Sequence, residues 1–240
     1  MKKPLFEYTS CPCCGSDDYQ YCYSSIDLIT HTKTVFSLVS CKSCGLVRTQ
    51  PVPTEDSITY FYPDTYPVYA IPSSDELDRS SSGVNCKNTI SSKLRDLLII
   101  CFKPFVKPPK TLYFSDSDYI KHLDYGCACG QYISSLSSTN FTSVGIDFSP
   151  QAQTLASKIN IDVFLEPINL DFFSPNNFDL ITAWMVVEHL PDPINVLSKL
   201  SHWLSPSGYL HLSVPDYGTV FRKIFRGSSY DNHVPGHFIH

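Results

Sequence analysis

The chain has no long apolar run. Its longest, around "LLIICF", falls far short of the ~20 residues that a membrane-spanning helix needs. No membrane span is therefore expected. An excess of positive charge is also missing: 18 Lys and Arg stand against 23 Asp and Glu, a formal charge of -5. That balance argues against a protein that coats nucleic acid, because neutralising phosphates takes clustered basic side chains. Charged residues of either sign make up only 17 %, while apolar residues reach 42 %, so the composition is that of a packed chain and not a disordered one. The opening "MKKPLFEYTS" carries two lysines without an apolar stretch behind them. No secretion is expected, and the expected location is cytoplasmic. No internal repeat is visible. The 240 residues give room for one well-filled domain and a small appendage.

Cysteine is not scarce. There are ten, and six of them precede residue 45. Without an export signal a disulfide framework is not expected, and the uneven placement points to metal binding near the N-terminus. "CPCCG" and "CKSCG" supply Cys11-x-x-Cys14 and Cys41-x-x-Cys44. Each Cys-x-x-Cys-Gly can form a tight knuckle that offers two thiolates, with glycine permitting the turn. Two knuckles give four sulfurs, which suits tetrahedral zinc. A redox pair or incidental thiols are the alternatives. Cys13 and Cys22 are spares. A four-sulfur site leaves no open position, so its expected role is structural.

Three regions follow from composition: a zinc-ribbon module over residues 1–50, a connector with a linking helix over 51–118, and an α/β domain over 119–240. Pro and Tyr crowd "ITYFYPDTYPVYAIP", and a Ser-rich stretch follows. That composition reads as an irregular connector. Tyr60, Tyr62, Tyr66 and Tyr69 either wall a substrate cleft or pack the connector against the main domain. Apolar positions 90, 94, 97, 98 and 101 have a helical period, and "KPPK" ends that helix. The basic residues beside this apolar face would suit a membrane surface, but a helix packed on the domain is the preferred reading.

From residue 119 the pattern alternates. "YIKHLDY", "FTSVGIDF", "IDVFLE", "FDLITAWMVV" and "YLHLSV" read as five strands. "GQYISSLSS", "SPQAQTLASKI" and "DPINVLSKLSHWL" read as intervening helices. Ser149 and Asp192 are the expected N-caps, with Pro150 and Pro193 in the first turns. "SPSG" is expected to stop the last helix. Strands alternating with helices predict a doubly wound, Rossmann-like parallel sheet.

The turn "HLDYGCACGQY" places Asp124, Gly126, Cys127, Ala128, Cys129 and Gly130 between the first strand and its helix. Small residues at 126, 128 and 130 let a ligand approach the backbone, and the helix start offers free N–H groups. Asp147 ends the second strand, where a carboxylate can accept from both hydroxyls of a ribose. Cys127 and Cys129 then serve as small fillers and not as metal ligands.

"LDYGCACG", "VGIDFSPQAQTLA" and "FDLITAWMVVEHLPDPINVLSKLSHWLSPSGYLHLSVP" together resemble the successive motifs of class I S-adenosylmethionine-dependent methyltransferases. The ribbon, "CGLVRTQPVP" and the Tyr-rich segment resemble a subgroup that includes sugar C-methyltransferases and is frequent in polysaccharide biosynthesis. The resemblance implies that Gly126, Ala128 and Gly130 line the methionine end of the cofactor. It implies that Asp124 contacts the amino group directly or through water and that Asp147 holds the ribose, with Phe148 beside it. Ala128 departs from the commonest glycine by one methyl.

Proton removal from the acceptor calls for histidine at neutral pH. Glu188 and His189 follow the fourth strand, where the ligand crevice of an open α/β sheet lies; the alternative is that they cap a loop. The subgroup's Tyr-x-Glu-His motif is matched by Tyr230-Asp231-Asn232-His233, except that Asn232 replaces the Glu. His237 is an equally placed competitor. The family sheet has seven strands, and only about 25 residues follow the fifth strand here. A truncated chain or an exposed fifth-strand edge is therefore expected.

The reaction implied is methyl transfer to a small polar acceptor such as a sugar or nucleotide-sugar. Two other readings compete. One is a zinc-ribbon binding protein with a vestigial nucleotide fold. The other is an RNA methyltransferase, disfavoured because Lys33, Lys42 and Arg48 are the only basic residues from 11 to 50.

Overall fold

The computed structural model describes residues 4–27, 34–62, 119–136, 140–229 and 232–240. The expected linking helix near 90–101, most of the connector, Tyr66, Tyr69, Tyr230 and Asp231 lie outside the described residues.

The N-terminal half builds antiparallel structure. Strands β2 (Tyr19–Ile26), β3 (Val35–Cys41) and β4 (Val47–Gln50) form a three-stranded sheet in chain order. The short strand β1 (Phe6–Glu7) pairs with β5 (Val52–Pro53). Phe36, Leu38 and Val47 bury one face together with Val234 from the far end of the chain. The segment after β5 is more regular than its composition suggests. Helix α1 (Glu55–Ile58) and a 3-10 turn at Thr59–Phe61 replace the expected irregular start of the connector. Phe61 anchors that turn by packing on Phe6, ring centroids 6.1 Å apart.

The second sheet is parallel, in the order β10-β9-β6-β7-β8. Its strands are β6 (Ile120–Tyr125), β7 (Phe141–Asp147), β8 (Val163–Leu165), β9 (Phe178–Trp184) and β10 (Leu204–Ser213). Chain order 1-2-3 runs outward to one side and 4-5 to the other, so the order reverses between β6 and β9. That reversal opens a crevice at the carboxyl ends of the strands. The five expected strands are all present. "SPSG" does not separate helix from strand, because β10 begins at Leu204 and absorbs those residues in an irregular register before Tyr209.

Helix α2 (Gln131–Ser135) follows the glycine turn, α3 (Pro150–Ser157) follows β7, and α4 (Pro193–Trp203) precedes β10. Both expected caps are made: Ser149 accepts from the Ala152 N–H and Asp192 from the Asn195 N–H. Such a cap is worth about 1 kcal/mol. Leu200 and Trp203 of α4 are fully buried against Leu123, Ile146 and Ile181 of the sheet. Each such aliphatic side chain contributes about 1.5–3 kcal/mol of burial. Trp203 also donates its indole N–H to the Leu170 carbonyl at 2.7 Å, so its one polar atom is satisfied. No described helix is long and apolar enough to cross a membrane.

Among the described residues β10 forms one edge of this sheet and β8 the other. The chain beyond β10 forms α5 (Val220–Phe225) and then runs to the N-terminal sheet. Arg48 bridges to Ile239, Thr49 N–H donates to the Phe238 carbonyl at 3.0 Å, and His240 N–H donates to the Val47 carbonyl at 2.9 Å. The two sheets belong to one contact unit, and this segment stitches them together.

Candidate functional site

The turn after β6 is built by positive backbone angles. Gly126 has φ 75° and Gly130 φ 76°, and Ala128 sits at φ 47° without a glycine's freedom. A side chain at 130 would bring its Cβ to 3.0 Å from Ile161, and one at 126 would run into Val186. The small residues at these positions are thus required by neighbours as well as by backbone geometry. Cys127 and Cys129 are buried, and the Cys127 sulfur packs over Gly145 of the next strand. They are fillers, as expected, and neither belongs to a metal-competent cluster among the described residues.

Asp147 locks the turn from below. Its carboxylate accepts from the Ala128 N–H and the Ser149 N–H, both at 2.9 Å. Burial nonetheless raises its pKa, against the pull of those two bonds. Asp124 lies deeper. Thr182 donates to it at 2.6 Å, and His122 Nε2 lies 2.8 Å from the same hydroxyl. Because that hydroxyl spends its proton on Asp124, the His122 proton is on Nε2. Burial pushes Asp124 up to about 7, and the nearby Asp147 charge adds to the rise.

A cavity of about 1120 Å3 opens above this turn. Gly126, Ala128, Asp147 and Phe148 line it; Asp124 and Gly130 sit behind the lining. Its opposite wall comes from the N-terminal half, including Thr9, Cys11, Pro12 and Tyr62. Tyr62 was one of four tyrosines with no individual role legible in the sequence. Here its ring packs edge-on against Phe148, and its hydroxyl reaches His189 Nδ1 at 2.7 Å.

His189, His233 and His237 meet at one end of the cavity, with ring centroids 4.6–5.4 Å apart. Three of the four expected catalytic candidates are therefore neighbours. His189 Nδ1 is 2.9 Å from the Gly236 carbonyl, which can only accept, so Nδ1 carries the proton and Nε2 a lone pair. Burial lowers the pKa of all three; that of His189 falls to about 4. The buried Asp27 works the other way on His233 and raises its pKa, a partner not visible in the sequence.

The fourth candidate, Glu188, does not line the cavity. Its carboxyl oxygens are buried without a hydrogen-bond partner, and burial pushes it up to about 7. Its backbone carbonyl accepts from Phe238 N–H at 2.7 Å, which ties the loop after β9 to the histidine segment. Asn232 does not address the imidazoles. It accepts from the Tyr23 hydroxyl at 3.1 Å and donates to the Arg226 carbonyl at 2.7 Å.

The four knuckle cysteines converge as their spacing predicts. The Cys11–Cys44 and Cys14–Cys41 sulfurs are 3.6 Å apart, and all four lie within 4.8 Å of one another. A tetrahedron with Zn–S of about 2.3 Å has sulfurs about 3.8 Å apart, so the set fits zinc. The Cys44 and Ser43 N–H groups draw the Cys41 thiol down to about 6, whereas Cys14 and Cys44 shift upward beside the neighbouring sulfurs. The ion would close the base of the N-terminal module, with Cys11 also forming part of the cavity wall.

The methyltransferase-domain family matches residues 93–238. The ubiquinone biosynthesis O-methyltransferase of Xanthomonas campestris pv. campestris is 28 % identical over 98 residues, 38 % of this chain and 41 % of that protein. The enzyme of the same name from Thiobacillus denitrificans is 28 % identical over 100 residues, covering 39 % and 43 %. The chain spans less than half the length of these two relatives. A SAM dependent methyltransferase from Archaeoglobus fulgidus is a structural neighbour with TM-score 0.40 and 17 % identity over 55 % of this chain and 57 % of that one. The family match spans the glycine turn, the whole parallel sheet and the three histidines, and the chain belongs to the methyltransferase-domain family.

Proposed function

We propose that the chain is an S-adenosylmethionine-dependent methyltransferase acting on a hydroxyl of a small polar acceptor, a sugar or nucleotide-sugar. One observation carries this reading: a single cavity joins the glycine turn and Asp147 to a wall of Tyr62 and three histidines. Its volume exceeds the ~300–1,000 Å3 of ordinary ligand pockets. Cofactor and acceptor fit side by side.

The cofactor supplies a methyl carbon already activated by its sulfonium. The protein has to hold, align and keep dry. Gly126 and Ala128 keep the turn low enough for the methionine portion. Asp147 retains lone pairs for ribose hydroxyls after its two backbone bonds, and Phe148 flanks it. Asp124 lies behind the turn, so its contact with the amino group runs through water. Gly130 shapes the turn without touching the ligand.

The acceptor faces His189, His233 and His237. Imidazoles on this wall are the polar groups that meet the acceptor's hydroxyls, and the proton that an oxygen nucleophile must lose leaves on this side of the cavity. The curated relatives are named O-methyltransferases, in keeping with an oxygen nucleophile. The subgroup resemblance and the polar wall favour a sugar. Zinc on Cys11, Cys14, Cys41 and Cys44 would hold the N-terminal wall in place, with the module at 1–50 and the sheet domain at 119–240 sharing one site. An RNA grip is disfavoured: Lys42 is paired with Asp18 at 2.9 Å and Arg48 is buried.

Calorimetry with S-adenosylmethionine tests the first part, with micromolar binding expected. Labelled methyl transfer to a panel of nucleotide-sugars, free sugars and phenols tests the second. Absence of cofactor heat overturns the enzyme reading, and label on phenols alone overturns the sugar.

A further inference from the structure

The three histidines are more closely organised than a wall of hydrogen-bonding groups needs. We propose that His189, His233 and His237 form a second metal site, separate from the four cysteines, that takes one divalent transition-metal ion and leaves an open position toward the cavity.

Four observations converge. One ring nitrogen from each histidine lies within 4.8 Å of the other two. Ligands of one ion at about 2.0–2.1 Å stand about 3.3 Å apart, so modest ring rotations close the set. His189 is already fixed in a ligand's tautomer. Its Nδ1–H faces the Gly236 carbonyl at 2.9 Å and the Tyr62 hydroxyl at 2.7 Å, leaving Nε2 bare. Metal-bound histidines are oriented by such a bond from the other ring nitrogen. Further, His237 Nδ1 is buried with no hydrogen-bond partner, in a residue only 4 % exposed. An orphaned buried polar atom is destabilising, and ligation would relieve it. Last, His233 is held at φ 39°, a strained backbone region for a non-glycine residue. A side chain at Gly236 would stand 3.1 Å from His233 Nε2, so glycine there leaves the ring its place.

Three neutral nitrogen donors suit zinc, copper, nickel or iron and not magnesium or calcium. Three protein ligands plus a vacant position is the pattern of a catalytic site, whereas four thiolates make a closed one. All three histidines line the cavity, so the vacant position faces whatever molecule enters it. The metal site stands on the histidine geometry alone. Only the identity of its added ligand, an acceptor hydroxyl, rests on the methyl-transfer reading.

The test is metal stoichiometry on the full chain. Stripped protein titrated with zinc is expected to take two equivalents. Cobalt in the second site should add a weak visible spectrum without the intense thiolate charge-transfer band of the first. His237→Ala should lose the second equivalent and keep the thiolate spectrum, which reports that the chain has folded. Cys41→Ser should lose the thiolate spectrum instead. If His237→Ala loses both signals, His233→Gln makes the same test. One equivalent in the wild-type chain, or a second equivalent that survives histidine substitution, overturns the proposal. Cofactor heat with one metal equivalent would sink the metal site and keep the methyltransferase. Two equivalents without cofactor heat would do the reverse.

Discussion

The Tyr62 hydroxyl stands 2.7 Å from His189 Nδ1 and 3.3 Å from the Gly236 carbonyl. A residue at the end of the N-terminal half thus fixes a histidine that follows the fourth strand of the parallel sheet. Tyr62→Phe should leave cofactor affinity unchanged and lower turnover about tenfold, the worth of one ~1.4 kcal/mol hydrogen bond. Steady-state kinetics beside calorimetry checks this; equal losses in both would mean a general packing defect.

Gly130→Leu should abolish cofactor binding. The new side chain has to adopt φ 76° and meets Ile161 at its first carbon. A left-handed backbone costs a non-glycine residue roughly 1–2 kcal/mol before any clash. Differential scanning fluorimetry should show a lower melting temperature with no cofactor-induced rise.

Cys127→Ser and Cys129→Ser should retain the thiolate-bound metal, because their sulfurs pack under the turn and not with the knuckles. Cys41→Ser should release it. The cobalt charge-transfer band separates the two outcomes directly.

Glu188→Gln gives a pH-dependent signature. Burial raises the folded carboxyl from 4.5 to about 7. Between these values the folded chain holds a proton that the unfolded chain has lost, so stability from this group is present at low pH and is lost as pH rises through about 7. Glutamine does not titrate. The melting temperature of the variant relative to wild type should therefore increase from pH 5 to pH 8, by about 2–4 °C for each kcal/mol involved. A difference that is flat with pH would mean that Glu188 titrates normally.

The parallel sheet was legible because its signals are local. Ser149-Pro150 and Asp192-Pro193 announce helix starts, and apolar runs such as "FDLITAW" announce buried strands. Cys-x-x-Cys-Gly carries its own geometry in five residues. The histidine end of the cavity was legible only in part. His189, His233 and His237 stand out as histidines, but nothing local says that they converge. Tyr62 and Asp27 were invisible as partners because each meets its histidine across well over a hundred residues of chain. The early connector hid a helical turn because Pro and Tyr density masks Phe61, which is set by packing on Phe6. Asn232 illustrates the limit of motif transfer: its neighbours are Tyr23 and Arg226, not an imidazole.

The segment 237–240 is hydrogen-bonded to residues 47–49 of the N-terminal sheet. These contacts join parts of the chain nearly two hundred positions apart, the kind of closure that slows folding most. During synthesis the N-terminal sheet keeps that flank bare until residues 237–240 have been made and can reach it. His237 sits in the segment that makes this closure and His233 just ahead of it, so the histidine end of the cavity is assembled only once these distant parts of the chain have met.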